Sequence, residues 1–133
     1  MAWSTENEII GLFSTSNAFH RQERIGILPK LQQLKKNNDK LRIRIRILTP
    51  FDDHIDSVSK KMKDESDINI MNLDESSRIK TSFLLFDRKF ILFVGLKDDT
   101  KRTSYEAIGV SMFSSIRSTV ISYVTIFEII WRQ

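Results

Sequence analysis

Residues 41–48, with the sequence LRIRIRIL, constrain the fold of this chain more than any other segment. Apolar and charged side chains alternate strictly from Leu41 to Ile47, which is the two-residue period of a β-strand and not the period of a helix. One face of this strand is therefore apolar and must be covered. The opposite face carries the arginines at positions 42, 44 and 46. We consider two interpretations of that face, a phosphate-binding stripe and a solvated or salt-bridged sheet surface.

Two weaker patterns precede this strand. Residues 8–14 form a short apolar run that could be strand or helix, and its length and the polar residues that follow favour a strand. Over residues 19–36, apolar side chains recur every three residues, which predicts a helix. Pro29 lies inside this pattern, so the helix is either kinked there or starts near Gly26, which would place the proline in its first turn.

The segment after the arginine strand predicts a strand–helix–strand unit. Thr49 and the following proline end the strand, and Asp52 or Asp53 can cap a helix that runs to about Met62. Residues 68–71 then form a short strand. A unit of this length makes a right-handed crossover between parallel neighbours.

The second half of the chain predicts more strands and a final helix. Residues 80–87 and 89–96 are apolar runs split by a polar turn, which is the pattern of a β-hairpin, and residues 106–112 supply another strand. Residues 115–131 predict a long helix with Ser115 as its cap. Its apolar stripe favours a helix that continues into a coiled coil over a core helix at the C-terminus. The predicted fold class is α/β, a mixed β-sheet flanked by helices with a long C-terminal helix.

Composition excludes several classes of function. The 133 residues are enough for one domain and contain no cysteine, so disulfides, thiol catalysis and cysteine-ligated metals are excluded. No apolar run is long enough to cross a bilayer, and we expect a cytoplasmic protein with no membrane partner. A net charge of +4 is small, so nucleic acid is not the favoured partner. His20 and His54 are far apart in sequence, and we assign both to surface or loop positions, with no metal and no cofactor.

A family resemblance centres on Asp87, which follows four apolar residues and precedes Gly95 by eight positions. This pattern resembles the remains of the HxKxxxxD…GSxN signature of the phospholipase D superfamily. Residues 13–28, 41–53 and 107–131 resemble further segments of that superfamily. The pairing of FHRQERIG with SYVTIFEIIWRQ is similar to the sensory module of archaeal multi-sensor signal-transduction histidine kinases. The resemblance implies a phospholipase D-like half-domain with a kinase domain downstream in the same chain.

The resemblance also bears on catalysis. Matching Asp87 to the signature places its histidine on Lys80 and its lysine on Ser82. An ammonium with a reference pKa of about 10.4 is protonated at neutral pH and cannot replace the nucleophilic imidazole. We therefore expect no catalytic residues and no enzyme activity in this chain. As a hairpin residue, Asp87 is expected to bond its own backbone two residues on.

The superfamily layout implies a ligand site outside the carboxyl ends of the parallel strands, as in other open α/β sheets. Hydroxyl, amide and cationic groups there would suit a small anionic or polyhydroxy ligand. Ser16, Asn17 and Thr49 could equally serve as caps or turn residues. The expected ligand-binding residues are Thr15, Ser16, Asn17, Arg21, Gln22, Thr49 and Lys80.

We expect residues 1–133 to form a single sensory domain excised from a longer chain. The favoured function is a non-catalytic sensor of a histidine kinase, a homodimer that relays ligand binding through residues 115–133. One alternative is the effector-binding domain of a sugar-responsive transcription regulator of similar fold. A less favoured alternative is an active phosphodiesterase or nucleic-acid processing enzyme.

Overall fold

A six-stranded mixed β-sheet with helices on both faces makes up the part of the chain that the computed structural model describes, which is residues 8–37, 43–74, 81–96 and 108–132. This architecture confirms the predicted α/β class. In chain order the elements are β1 Glu8–Leu12, α1 Ser16–Arg24, α2 Ile27–Asn37, β2 Arg44–Thr49, α3 Asp53–Ser66, β3 Asn69–Asn72, β4 Ser82–Phe86, β5 Phe90–Leu96, β6 Ile108–Ser114 and α4 Arg117–Trp131. Among these helices, none has the length and apolarity to cross a membrane.

The strands lie in the order β3-β2-β1-β4-β5-β6. β1, β2 and β3 are parallel, whereas β4, β5 and β6 each run antiparallel to the strand before them in the sheet. The parallel half confirms the predicted strand–helix–strand unit, and the β4–β5 pair confirms the predicted hairpin. Because β1, β2 and β3 point the same way, the segments that follow them meet at one edge of the sheet, called here the carboxyl edge.

Each face of the sheet has its own apolar core. Helices α1, α2 and α3 cover one face, where the isoleucines of β2 pack as the alternation predicts. Helix α4 covers the other face and buries Val120, Val124 and Phe127 against β1, β4 and β5. The sheet is therefore covered on both sides, which is why five of the six residues of β2 are buried.

Two helix boundaries differ from the prediction. The single helix predicted over residues 19–36 is two helices, α1 and α2, because Gly26 adopts a left-handed φ of 81° and breaks the helical path. Pro29 then lies in the first turn of α2, as the second of the two predicted alternatives has it. Ser115 does not cap α4: the N-cap residue is Ile116, which has no side-chain cap, and its amide donates to Ser114 Oγ at 3.1 Å.

Asp87 fixes the start of the central strand. Asp87 and Arg88 form the left-handed turn of the hairpin, with φ values of 54° and 57°. The Glu8 amide donates to Asp87 Oδ1 at 2.9 Å, and the Asp87 amide donates to the Glu8 carbonyl at 2.9 Å. Asp87 is therefore a turn residue whose carboxylate also accepts a hydrogen bond from a backbone amide 79 residues away in sequence. Ser82 is the first residue of the five-residue strand β4 and Asp87 directly follows its last, so these two of the positions matched to the signature lie at opposite edges of the sheet.

The arginine face of β2 is salt-bridged under α4. Arg46 is 1% exposed and donates through Nη2 to Glu8 Oε2 at 3.1 Å and also to Glu128 Oε1. Arg44 is exposed, and Arg42 lies outside the described residues. A phosphate-binding stripe would need an accessible Arg46, so the structure supports the salt-bridged interpretation.

Candidate functional site

The carboxyl edge brings together the segments after β1 and β2 that the sequence predicts to bind a ligand. Thr15 is the N-cap of α1, and its Oγ1 accepts a hydrogen bond from the Ala18 amide at 3.1 Å. Ser16 and Asn17 open that helix, with Asn17 exposed. Thr49 ends β2 and is fully buried. These groups stay a predicted ligand-binding set.

Arg21, a charged member of the predicted set, is less accessible than expected. Arg21 is 3% exposed and is among the buried residues of α1, while Gln22 is half-buried. Both residues already take part in hydrogen-bonding or other interactions with the rest of the chain. Lys80 lies outside the described residues. A ligand at this edge would therefore meet the hydroxyl and amide groups at the start of α1 before it met the Arg21 guanidinium.

A pair of serines joins the parallel and antiparallel halves of the sheet at the same edge. The Ser14 amide donates to Ser82 Oγ at 3.0 Å, and the two hydroxyl oxygens are 3.2 Å apart. Ser82, at the position matched to the signature lysine, is 4% exposed. It thus has a structural partner where the superfamily has a catalytic residue.

A cluster of four titratable side chains lies between α1 and α3 at this edge. His20 Nε2 donates to Asp52 Oδ2 at 2.6 Å, and His54 Nε2 donates to Glu23 Oε1 at 2.8 Å. His20 Nδ1 lies 3.7 Å from the same Glu23 oxygen, and the two imidazole centroids are 5.5 Å apart. We call these four residues the histidine cluster.

Local sequence explains how the histidine cluster forms. His20 and Glu23 are three residues apart on α1 and so share one helix face. Asp52 is the N-cap of α3, where its Oδ1 accepts from the Ile55 amide at 2.8 Å, and His54 follows in the first turn. The parallel pairing of β1 with β2 places these two helix segments side by side.

The cluster is polar and open to solvent. Side-chain exposure rises from 19% at His20 and 26% at Glu23 to 41% at Asp52 and 57% at His54. Desolvation alone would raise the pKa of Asp52. The net shift is downward, because hydrogen bonds from the Ile55 amide and from His20, together with the charges of both histidines, favour the carboxylate. Asp52 therefore carries its negative charge toward His20.

Sequence reasoning missed this cluster. It assigned both histidines to surface or loop positions with no metal, although Glu23 follows His20 by three residues on a predicted helix. One donor atom from each of His20, Glu23 and His54 lies within 4.8 Å of the others, which is a spacing that a metal ion could bridge. The useful signal is position: each histidine follows a predicted parallel strand closely, and such segments meet at one edge.

A second concave surface lies at the opposite edge, beside the ends of α2 and α3. Its lining includes Lys35, Arg44 and Asp67. Lys35 donates to the Asp67 carbonyl at 3.0 Å, and Lys63 pairs with the Asp67 carboxylate at 3.0 Å. Lys35, Lys63 and Asp67 are therefore paired with one another.

The sequence matches no protein family, and no curated protein is significantly similar to it. Among solved structures, the fold is similar to that of TrmBL2, an archaeal chromatin protein whose structure shows a novel mode of DNA binding. The TM-score is 0.64 at 14% sequence identity, and the alignment covers 98% of this chain and 45% of that one. The chain thus spans less than half the length of this neighbour. A likeness at this identity shows a common fold, and the resemblance to phospholipase D and histidine kinases stays a prediction.

Proposed function

We propose that this chain is a non-catalytic, effector-binding domain of a longer DNA-associated regulator. The observation that carries the proposal is the similarity in fold to a DNA-binding chromatin protein, which takes in 98% of this chain but only 45% of the other. This is the transcription-regulator alternative of the sequence analysis, and it replaces the kinase sensor as the favoured function. It also makes DNA a plausible partner of the longer protein, contrary to our expectation from net charge.

The ligand site in this proposal is the carboxyl edge. Thr15, Ser16 and Asn17 offer hydroxyl and amide groups at the start of α1, whose backbone dipole favours negative charge. These groups suit a small anionic or polyhydroxy ligand. Arg21, Gln22 and Lys80 belong to the same proposed site.

The absence of catalysis is part of the proposal. The position matched to the signature histidine is Lys80, and an ammonium is not a nucleophile at neutral pH. The Asp87 carboxylate bonds the backbone of β1, which is a sufficient reason for its presence. We expect no turnover of a phosphodiester.

Helix α4 is the proposed relay to the rest of the protein and the proposed surface for a homodimer. Its inner face packs on the sheet, whereas Ile121, Ile126 and Ile129 on its outer face are 39–57% exposed. Exposed apolar side chains at helical spacing are typical of a surface that packs on another helix. Light scattering of the purified chain should give the mass of a dimer, and Ile121→Ser with Ile129→Ser should give that of a monomer.

The decisive experiment uses the full gene product that contains these residues. Fluorescence anisotropy should show DNA binding, and at least one member of a panel of sugars and sugar phosphates should change that affinity by about fivefold or more. Asn17→Ala should reduce the ligand's effect, and Gln33→Ala, an exposed amide on α2, should not.

Two results would overturn the proposal. One is a gene product without DNA binding whose reading frame encodes a phosphoacceptor helix and an ATP-binding region, which would support the kinase sensor instead. The other is hydrolysis of bis(p-nitrophenyl) phosphate that disappears in Lys80→Ala, which would establish an enzyme.

A further inference from the structure

We propose that His20, Glu23 and His54 bind a divalent transition-metal ion of the Zn²⁺ class between α1 and α3. The inference goes beyond the proposed function and does not depend on it. It rests on the geometry of the histidine cluster and on the position of Asp52 behind His20.

The donor atoms are close to the separations that a metal ion requires. Zinc–nitrogen and zinc–oxygen bonds of about 2.0–2.2 Å in tetrahedral geometry place neighbouring donors about 3.2–3.6 Å apart. His20 Nδ1 and Glu23 Oε1 are 3.7 Å apart, and His54 Nε2 and Glu23 Oε1 are 2.8 Å apart. One donor from each residue lies within 4.8 Å of the others. Small rotations of half-exposed side chains would therefore admit the ion.

Asp52 is positioned as the outer-shell carboxylate of a metal-bound histidine. Its Oδ2 accepts from His20 Nε2 at 2.6 Å, which leaves the lone pair of Nδ1 directed away from Asp52 and available to the ion. Metal-ligating histidines commonly donate their second ring N–H to such a carboxylate. Asp52 is itself held by the Ile55 amide at 2.8 Å, so it can fix the orientation of the imidazole.

The scaffold also suits a metal site. Two ligands lie three residues apart on one face of α1, and the third lies in the first turn of α3, so rigid elements hold all three. Nitrogen and carboxylate donors without thiolate favour Zn²⁺ and its neighbours over Mg²⁺ or Ca²⁺. In the metal-bound form Nε2 of His54 presents its lone pair to the ion, and the proton that Nε2 donates to Glu23 without the ion moves through solvent to Nδ1. The 57% exposure of that side chain leaves room for an additional, exchangeable ligand.

A different reading of the same atoms is a chain of hydrogen bonds that ties α1 to α3 without an ion. That reading predicts the same contacts but no affinity for metals. A metal-binding experiment can distinguish the metal site from the hydrogen-bonded chain, because the sequence has only two histidines and no cysteine. A nitrogen-ligated ion on protein free of any affinity tag must therefore involve this cluster or the terminal amine.

The test is titration of tag-free protein with Zn²⁺ by calorimetry and with Co²⁺ by visible absorption. We expect one ion per chain and Co²⁺ bands of a low-symmetry nitrogen–oxygen site. His54→Asn should weaken binding on the order of 100-fold or more, because it removes a ligand. Asp52→Asn should weaken it about tenfold, because asparagine keeps the helix cap but is a poorer partner for the His20 N–H.

The matched control is Asp56→Asn, which neutralises an exposed carboxylate on α3 outside the cluster and should leave the affinity unchanged. ¹⁵N NMR of the imidazoles should place the ion on His20 Nδ1 and His54 Nε2. Absence of binding at millimolar Zn²⁺, unchanged affinity in His54→Asn, or an equal loss in Asp56→Asn would each overturn the proposal.

Discussion

Two clusters of opposite charges join distant parts of this chain, and they differ in what covers them. The first, the arginine cluster, consists of Glu8, Arg46, Arg88 and Glu128 and ties α4 to the sheet. The second is the histidine cluster between α1 and α3. Both contain two basic and two acidic side chains that come from separate elements.

The arginine of β2 in the arginine cluster is shielded from solvent. Arg46 is 1% exposed, and its guanidinium carbon lies 5.2 Å and 5.3 Å from the ring centroids of Phe127 and Trp131. Its Nε and Nη1 have no hydrogen-bond partner in the part of the chain that the structure describes, so the rings are their neighbours. In the histidine cluster Phe19 packs edge-on against His20, with ring centroids 6.3 Å apart, but Asp52 and His54 are 41% and 57% exposed. The comparison teaches that a charged group packed under aromatic rings serves stability, whereas one left beside solvent can still accept a ligand.

The largest expected effect on stability comes from removing Arg46 from the arginine cluster. Arg46→Met leaves Glu8 buried beside a single remaining arginine, and removing one partner of a buried ion pair costs about 3 kcal/mol. Arg44→Met is the matched control: it lies on the same strand and face but is exposed, so it should change stability by less than about 0.5 kcal/mol. Urea unfolding of both variants measures the difference. Equal losses would mean that burial does not distinguish these arginines.

The second largest expected effect is the stabilisation of the chain by a metal ion bound at the histidine cluster. Zn²⁺ at about 100 times its dissociation constant should stabilise the native chain by about 2.7 kcal/mol, because it binds only the folded state. His54→Asn should remove this gain while changing the metal-free stability by less than about 0.5 kcal/mol, since its ion pair is exposed. Thermal unfolding with and without Zn²⁺ gives both values. A loss in metal-free His54→Asn as large as that in Arg46→Met would show that the open cluster is structural.

The smallest expected effect is the pH dependence of stability that Glu128 contributes in the arginine cluster. The hydrogen bond from Arg46 lowers the pKa of Glu128, whereas desolvation raises it. The charges of Arg46, Arg88 and Arg132 lower this pKa further. Glu8 also pairs with Arg46 and Arg88. A carboxyl group with a lowered folded-state pKa stabilises the fold above its unfolded-state pKa and loses that contribution as the pH falls through the folded-state value.

Glu128→Gln should therefore cost about 1–2 kcal/mol at neutral pH, and the native and variant stabilities should converge below about pH 4. Urea unfolding at a series of pH values from neutral down to about pH 3 measures the convergence. A constant difference at every pH would contradict the ionic role of Glu128.

The sequence predicted those elements whose pattern is local. The alternation in residues 41–48 predicted the strand and its two faces, and two apolar runs around Asp87 predicted the hairpin. The break at Gly26 was one of two alternatives, because periodicity alone does not show which residue takes a left-handed conformation. Ser115 was a reasonable cap by residue type, but α4 begins two residues later.

What the sequence did not predict depends on contacts between distant elements. The burial of Arg46 requires α4, which follows it by more than 70 residues, to lie across its face of the sheet. The histidine cluster requires α1 and α3 to be neighbours, which follows only from the parallel pairing of β1 and β2. The hairpin position of Asp87 was predicted, but its bond to Glu8 was not, since that bond depends on the place of β1 beside β4.

The two-way bond between Glu8 and Asp87 has a consequence for motion. Strand ends usually fray, and their amide protons exchange with water through small local openings. Here both amide protons are held across the sheet, one by a carboxylate and one by a carbonyl. Hydrogen exchange at these two positions should therefore be as slow as at the middle of β1, so that the leading end of the central strand opens only when the sheet itself comes apart.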